Sequence, residues 1–128
     1  MTEGQVFSPH LPQQAPIDAY GNGGFRFAGM SHRGSLLCLP DGIWAWPVAS
    51  IAAITAETLA PVLERAGQVD ILLLGAGRDP WLLPEALRAR LRAARISTDT
   101  MSTGAAVRTY NILLAEGRRV AAGLVAVD

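Results

Sequence analysis

Two short runs, Val69-Asp-Ile-Leu-Leu-Leu74 and Val120-Ala-Ala-Gly-Leu-Val-Ala-Val127, are apolar at nearly every position. A strand with one wet face alternates polar and apolar residues. A strand that does not alternate must be covered on both faces, as in a sheet wrapped by helices. Helical patterns separate the two runs. Leu87, Leu91 and Ala94 fall at i, i+4 and i+7 behind Pro84, which suits the first turn of a helix reaching about Arg95. Ile96–Thr100 reads as a third short strand. A second helix follows over about 103–116, apolar almost all round, with Gly117 as its stop. A helix that apolar is expected to be buried on several sides, either centrally or against a partner.

The first half punctuates differently. Gly21-Asn-Gly-Gly24 separates Ile17-Asp-Ala-Tyr20 from Phe25-Arg-Phe27, and Pro40-Asp-Gly42 separates Ser35–Leu39 from Ile43–Trp46; both read as β-hairpins. Trp44 and Trp46 share one strand face by the two-residue period, and Pro47 makes that strand an edge or ends it. Thr55 caps a helix to about Ala66, unless Pro61 kinks it or delays its start to a Thr58 cap. Residues 1–16, with Pro9, Pro12 and Pro16, read as an extended N-terminal segment, and 17–128 as a single α/β domain with a mixed central sheet, N-terminal hairpins and about three helices.

Composition excludes several kinds of chemistry. Eleven cations balance eleven acids, and every cation is arginine. Zero net charge argues against broad nucleic-acid binding, and the absence of lysine removes Schiff-base, P-loop and Ser-Lys chemistry. Cys38, the single cysteine, can form no internal disulfide or thiolate cluster and reads as a core residue. His10 and His32 lie far apart in sequence with no ligand spacing, so no metal site and no cofactor is expected. The first ten residues show neither a basic n-region nor an apolar h-region, and no run reaches the roughly 20 apolar residues of a membrane span. A cytoplasmic protein is the expectation.

Asp70-Ile-Leu-Leu-Leu-Gly75-Ala-Gly77, followed by Met101-Ser-Thr-Gly-Ala-Ala-Val-Arg108-Thr-Tyr110-Asn111-Ile-Leu-Leu-Ala-Glu116-Gly-Arg118 and an apolar last strand, resembles a bacterial and archaeal domain of unknown function. That family is shared with the mitochondrial complex I assembly factor 3 proteins, and the resemblance covers about residues 17–127. It implies a compact three-layer α/β fold. For the mitochondrial branch it implies a non-enzymatic role in assembling NADH:ubiquinone oxidoreductase at the inner membrane. For the bacterial branch it implies no enzymatic activity.

Four features are candidate sites. Gly75-Ala-Gly77-Arg78-Asp79 joins a strand to a helix, and Asp99 follows some 22 residues after Gly77. Together they make a partial dinucleotide fingerprint whose third glycine is replaced by Pro80. The plain reading is a tight connection; the alternative is an anion or nucleotide site with Arg78 as charge partner. On the apolar helix, at about 100° per residue, Arg108, Asn111 and Ala115 form the polar stripe, with Tyr110 beside it. That stripe is a wet face, a clamp on nearby loops, or a ligand or partner site. Arg88, Arg92 and Arg95 form a row at i, i+4 and i+7, either a solvated face or a contact for anionic lipid or an acidic partner. Trp44 and Trp46 are sheet cover or, if exposed, interface anchors. No nucleophile has a base in a recognisable motif, and Glu116 would need Arg118 or Arg119 as an ion-pair partner.

The leading expectation is therefore a non-enzymatic protein-interaction domain resembling complex I assembly factors. Its partner would be a respiratory-complex subunit or another assembly factor, with at most peripheral inner-membrane contact and with a homodimer open. The runner-up is the ligand module at Gly75–Asp79. An enzyme built around Arg108, Tyr110 and Asn111 would require those three side chains in one concave pocket with an acid nearby.

Overall fold

A computed structural model describes residues 10–79 and 81–128. Three antiparallel strands, β1 (Ala19–Gly21), β2 (Gly24–Phe27) and β3 (Met30–Arg33), make a small sheet in the order β1-β2-β3. The main sheet contains β4 (Leu36–Leu39), β5 (Gly42–Ala45), β6 (Ile71–Gly75), β7 (Ser97–Met101) and β8 (Val120–Leu124), in the order β5-β4-β8-β6-β7. It is mixed: β6 runs parallel to both β7 and β8, whereas β4 runs antiparallel to β5 and β8. The helices are α1 (Ala60–Leu63), α2 (Glu85–Ala93) and α3 (Thr103–Ala115).

The apolar runs behave as their pattern requires. Leu72 and Leu74 of β6 pack with Leu37, Leu39, Ala121 and the leucines of α2 on one face. Leu73 packs with Leu36, Cys38, Ala122, Leu124 and α3 on the other, where Phe25 and Phe27 of the small sheet complete the layer. The result is three layers with the sheet in the middle. Gly123 permits close cover on the first face: a Cβ there would stand 2.7 Å from the Trp46 ring and 3.2 Å from Leu74.

Three expectations need correction. The helix expected from Thr55 to Ala66 is a chain of turns, with 3-10 turns at Ile51–Ala53 and Ala66–Gln68 around the four-residue α1. Thr55 and Thr58 bond each other's backbone N–H through their hydroxyls (3.2 and 2.8 Å), a closed turn in its own right, and Pro61 sits in the first turn of α1. Second, α3 is not buried on several sides. Its buried face is Thr103, Ala106, Val107 and Tyr110, while Ile112 is 58% exposed. A lone apolar side chain in water forgoes roughly 1.5–3 kcal/mol of burial but is ordinary on a surface. Third, α2 starts after Pro84 rather than with it, and Arg95 lies beyond its end in the left-handed region (φ 62°). The strand β3 was not expected at all. Its signal is the turn at Ala28-Gly29, both with positive φ, ahead of only four alternating residues.

Residues 1–9 of the expected extended segment, and Pro80, lie outside the described residues. From His10 the chain runs along the molecule. His10 donates to the Ile43 carbonyl (2.8 Å), Ile43 donates to that of Leu11 (2.9 Å), and the Gln14 amide donates to that of Val120 (2.7 Å).

Candidate functional site

In a parallel α/β sheet, ligands favour the crevice beyond strand ends where successive connections leave to opposite faces. Here that place is the C-terminal end of β6 and β7, because β6 leads to α2 on one face and β7 to α3 on the other. The crevice is stitched shut. Gly77 donates to the Thr103 hydroxyl (3.0 Å), Thr103 N–H donates to the Gly77 carbonyl (2.9 Å), and Ala76 donates to the Met101 carbonyl (2.8 Å). The Thr103 hydroxyl in turn donates to Val125 O (2.7 Å). Gly75 serves packing: a Cβ there would meet the Thr103 Cα at 2.9 Å and the Ala106 Cβ at 3.1 Å. Thus the glycines let α3 lie close on β6, and the N–H groups of Ala76 and Gly77 are already engaged by the protein itself. Asp99 sits in mid-strand on β7, exposed.

The side chains expected on the α3 stripe part company. Arg108 is exposed. It lines a shallow groove with Arg78, Ser102, Gly104, Tyr20 and Asp128, where Arg78 donates to the Asp128 carbonyl at 2.7 Å. Asn111 is a clamp: its Oδ1 accepts from Ile17 N–H and its Nδ2 donates to Ile17 O, both at 2.8 Å. Tyr110 points inward with no exposure, and its hydroxyl donates to the Ala15 carbonyl at 2.9 Å. The one-pocket arrangement that an enzyme around these three residues would need is absent.

Cys38 faces Tyr110 in the same layer. Complete burial pushes its thiol up to about 12 despite a hydrogen bond with the Tyr110 side chain, and burial also raises the tyrosine. At pH 8 the sulfur is therefore protonated and shielded. We expect no reaction of Cys38 with Ellman's reagent in the native protein over hours, and one equivalent in denaturant; rapid native labelling would refute this.

The other candidates separate clearly. Trp46 is buried at 4% exposure and donates its ring N–H to Thr58 O (2.9 Å), so it is sheet cover. Trp44 is half-buried beneath the Arg65 guanidinium, 5.1 Å from its ring centroid. Arg65, missed by the sequence reading, forms two bonds with the Asp41 carboxylate (2.6 and 3.1 Å) and holds it below its usual range. Glu116, expected to need an ion pair with Arg118 or Arg119, is exposed at the end of α3 and needs none, and Arg119 pairs instead with Asp70 at 2.9 Å. Arg88, Arg92 and Arg95 gather in one groove with Ile96, Ser97 and Thr98, although Arg95 is not on the helix. Glu85 approaches Arg92 at 3.4 Å and Arg88 at 3.8 Å. The two histidines, distant in sequence, have ring centroids 4.7 Å apart, and burial followed by the neighbouring His10 lowers the His32 pKa from 6.5. Among the described residues no three His, Cys, Asp or Glu gather as a metal set, and no helix is long and apolar enough to cross a membrane.

Comparison with known proteins gives relatives along nearly the whole chain. An uncharacterized protein of Rhodobacter capsulatus is 44% identical over 91% of this chain and 89% of its own length. The mouse NADH dehydrogenase (ubiquinone) 1 alpha subcomplex assembly factor 3 is 30% identical over 94% of this chain, which spans 65% of that protein. A crystal structure of an outer membrane protein from Bartonella henselae matches with a TM-score of 0.90 at 57% identity, covering 93% of this chain and 100% of that one. The family described as "Protein of unknown function (DUF498/DUF598)" matches residues 17–125, and the chain belongs to it.

Proposed function

We propose that this chain is a non-enzymatic protein-interaction module that helps assemble a respiratory NADH dehydrogenase, acting in the cytoplasm and at the inner-membrane surface. The observation that carries this reading is the 30% identity, over 94% of the chain, with an assembly factor for NADH dehydrogenase. The stitched crevice supports it, because the usual ligand position of such a sheet is occupied by Thr103. The test is affinity capture of the tagged chain from its own cells with quantitative mass spectrometry, beside a deletion strain. Enrichment of NADH dehydrogenase subunits, and less fully assembled complex on native gels after deletion, are expected. Normal assembly together with no enriched respiratory component would overturn the proposal.

One observation favours the anion-binding alternative: Arg78 and Arg108 line the same groove at the start of α3. It ranks second because the loop N–H groups that would cradle a phosphate are bonded internally. A thermal shift with inorganic phosphate or a nucleotide, lost in Arg78→Ala, would restore it.

A further inference from the structure

The two edges of the main sheet are treated differently. Beside β5, residue Leu11 bridges to Ile43, and Pro47 follows the strand. Beside β7, no described strand pairs. Ser97 N–H donates to Asp70 O, and Met101 O accepts from Ala76 N–H, so the backbones of Ser97, Asp99 and Met101 face β6. By strand alternation, Thr98 and Thr100 turn their N–H and C=O groups outward, leaving a ladder for one more strand.

The flank of that ladder is chemically polarised. The helix α2 returns antiparallel to the strands, so Arg88, Arg92 and Arg95 crowd the start of β7 in a groove with Ser97 and Thr98. Glu85 reaches two of the three guanidinium groups there, Arg92 at 3.4 Å and Arg88 at 3.8 Å. At the other end, Thr100 donates through its hydroxyl to Trp81 O (3.0 Å), placing the Trp81-Leu82 segment beside the end of the strand, with Leu82 81% exposed. Under the arginines, Thr98 Oγ1 is buried without a hydrogen-bond partner.

We propose that the open edge of β7 is a docking site for an extended, acidic segment of a protein partner. The segment adds as a strand through Thr98 and Thr100, sets carboxylates against Arg88, Arg92 and Arg95, and sets an apolar side chain against Leu82. A second copy of the chain fits poorly. The antiparallel register that opposes Thr98 to Thr100 also opposes Asp99 to Asp99, and like charges directly across a ladder repel. The proposal deepens the interaction reading by placing the partner on one edge.

The test uses isotope-labelled protein and two blocked peptides, Glu-Val-Glu-Val-Glu-Val-Leu and its lysine counterpart. With the acidic peptide, the Thr98 and Thr100 amides should shift and exchange with solvent at least tenfold more slowly. The double variant Arg92→Ala/Arg95→Ala should weaken binding at least tenfold. Thr98→Pro, which removes one outward N–H on an edge that tolerates proline, should abolish it; if that variant does not fold, the arginine variant and the lysine peptide decide. Equal binding of the lysine peptide, or shifts away from β7, would overturn the proposal. So would binding to phosphatidylglycerol vesicles through the arginines without edge protection, which indicates a lipid surface. Concentration-dependent protection of Thr98 and Thr100 without peptide would overturn it in favour of self-association. Capture of NADH dehydrogenase subunits that the double variant leaves unchanged would refute the edge while leaving the proposed function standing.

Discussion

Replacing Thr103 with valine is expected to destabilise the protein by about 2–4 kcal/mol, and to lower its Tm by about 10 °C. Valine matches threonine in shape, so the loss comes from hydrogen bonds rather than from a cavity. The Thr103 hydroxyl is fully buried, accepts from Gly77 N–H and donates to Val125 O. Without it, the part-buried Gly77 N–H and the buried Val125 carbonyl lose their partners, at about 1–3 kcal/mol each. Thr103→Ser keeps both bonds and should lose only about 1 kcal/mol through the missing methyl group. Urea unfolding at unchanged m-value separates the two variants. A valine variant as stable as the parent would mean that the crevice is not held shut in this way. The signature segment beginning at Met101 would then need another explanation.

Much of the fold was legible because its signals are local. Gly21-Asn-Gly-Gly24 and Pro40-Asp-Gly42 produce hairpins wherever they sit between apolar runs, and the unbroken runs at β6 and β8 announce a sheet covered on both faces. What escaped the sequence depends on partners far along the chain. The wheel placed Asn111 beside Arg108 as one polar stripe, but Asn111 meets Ile17, 94 residues away, whereas Arg108 faces water. The contact between His10 and His32 needs the N-terminal segment to be folded back before it exists. The row at Arg88, Arg92 and Arg95 was visible as spacing. Its setting beside an unpaired strand was not, because strand order is a property of the whole sheet. Pro61 was correctly a difficulty; the local Thr55–Thr58 bonds resolve it by replacing helix with turns.

Tyr110→Ala should cost about 3–5 kcal/mol, the range for removing a large buried ring, and Tyr110→Phe about 1 kcal/mol. The alanine variant loses packing against the layer formed by Phe25, Phe27 and Cys38. Phenylalanine keeps that packing and loses the bond to Ala15 O together with the weak one to the Cys38 thiol. Because Tyr110 holds residue 15 and Asn111 holds residue 17, both side chains restrain one stretch of backbone. Once either restraint is gone, part of the other's benefit goes with it. The combination Tyr110→Phe/Asn111→Ala should therefore be less destabilising than the sum of the single variants. Hydrogen exchange at Ile17 reads the same coupling, rising modestly in Tyr110→Phe and steeply in any variant lacking Asn111. Strict additivity, with Ile17 still protected in the double variant, would show that the two side chains act independently. Their place in the signature would then reflect separate core contacts rather than a shared hold on the N-terminal segment.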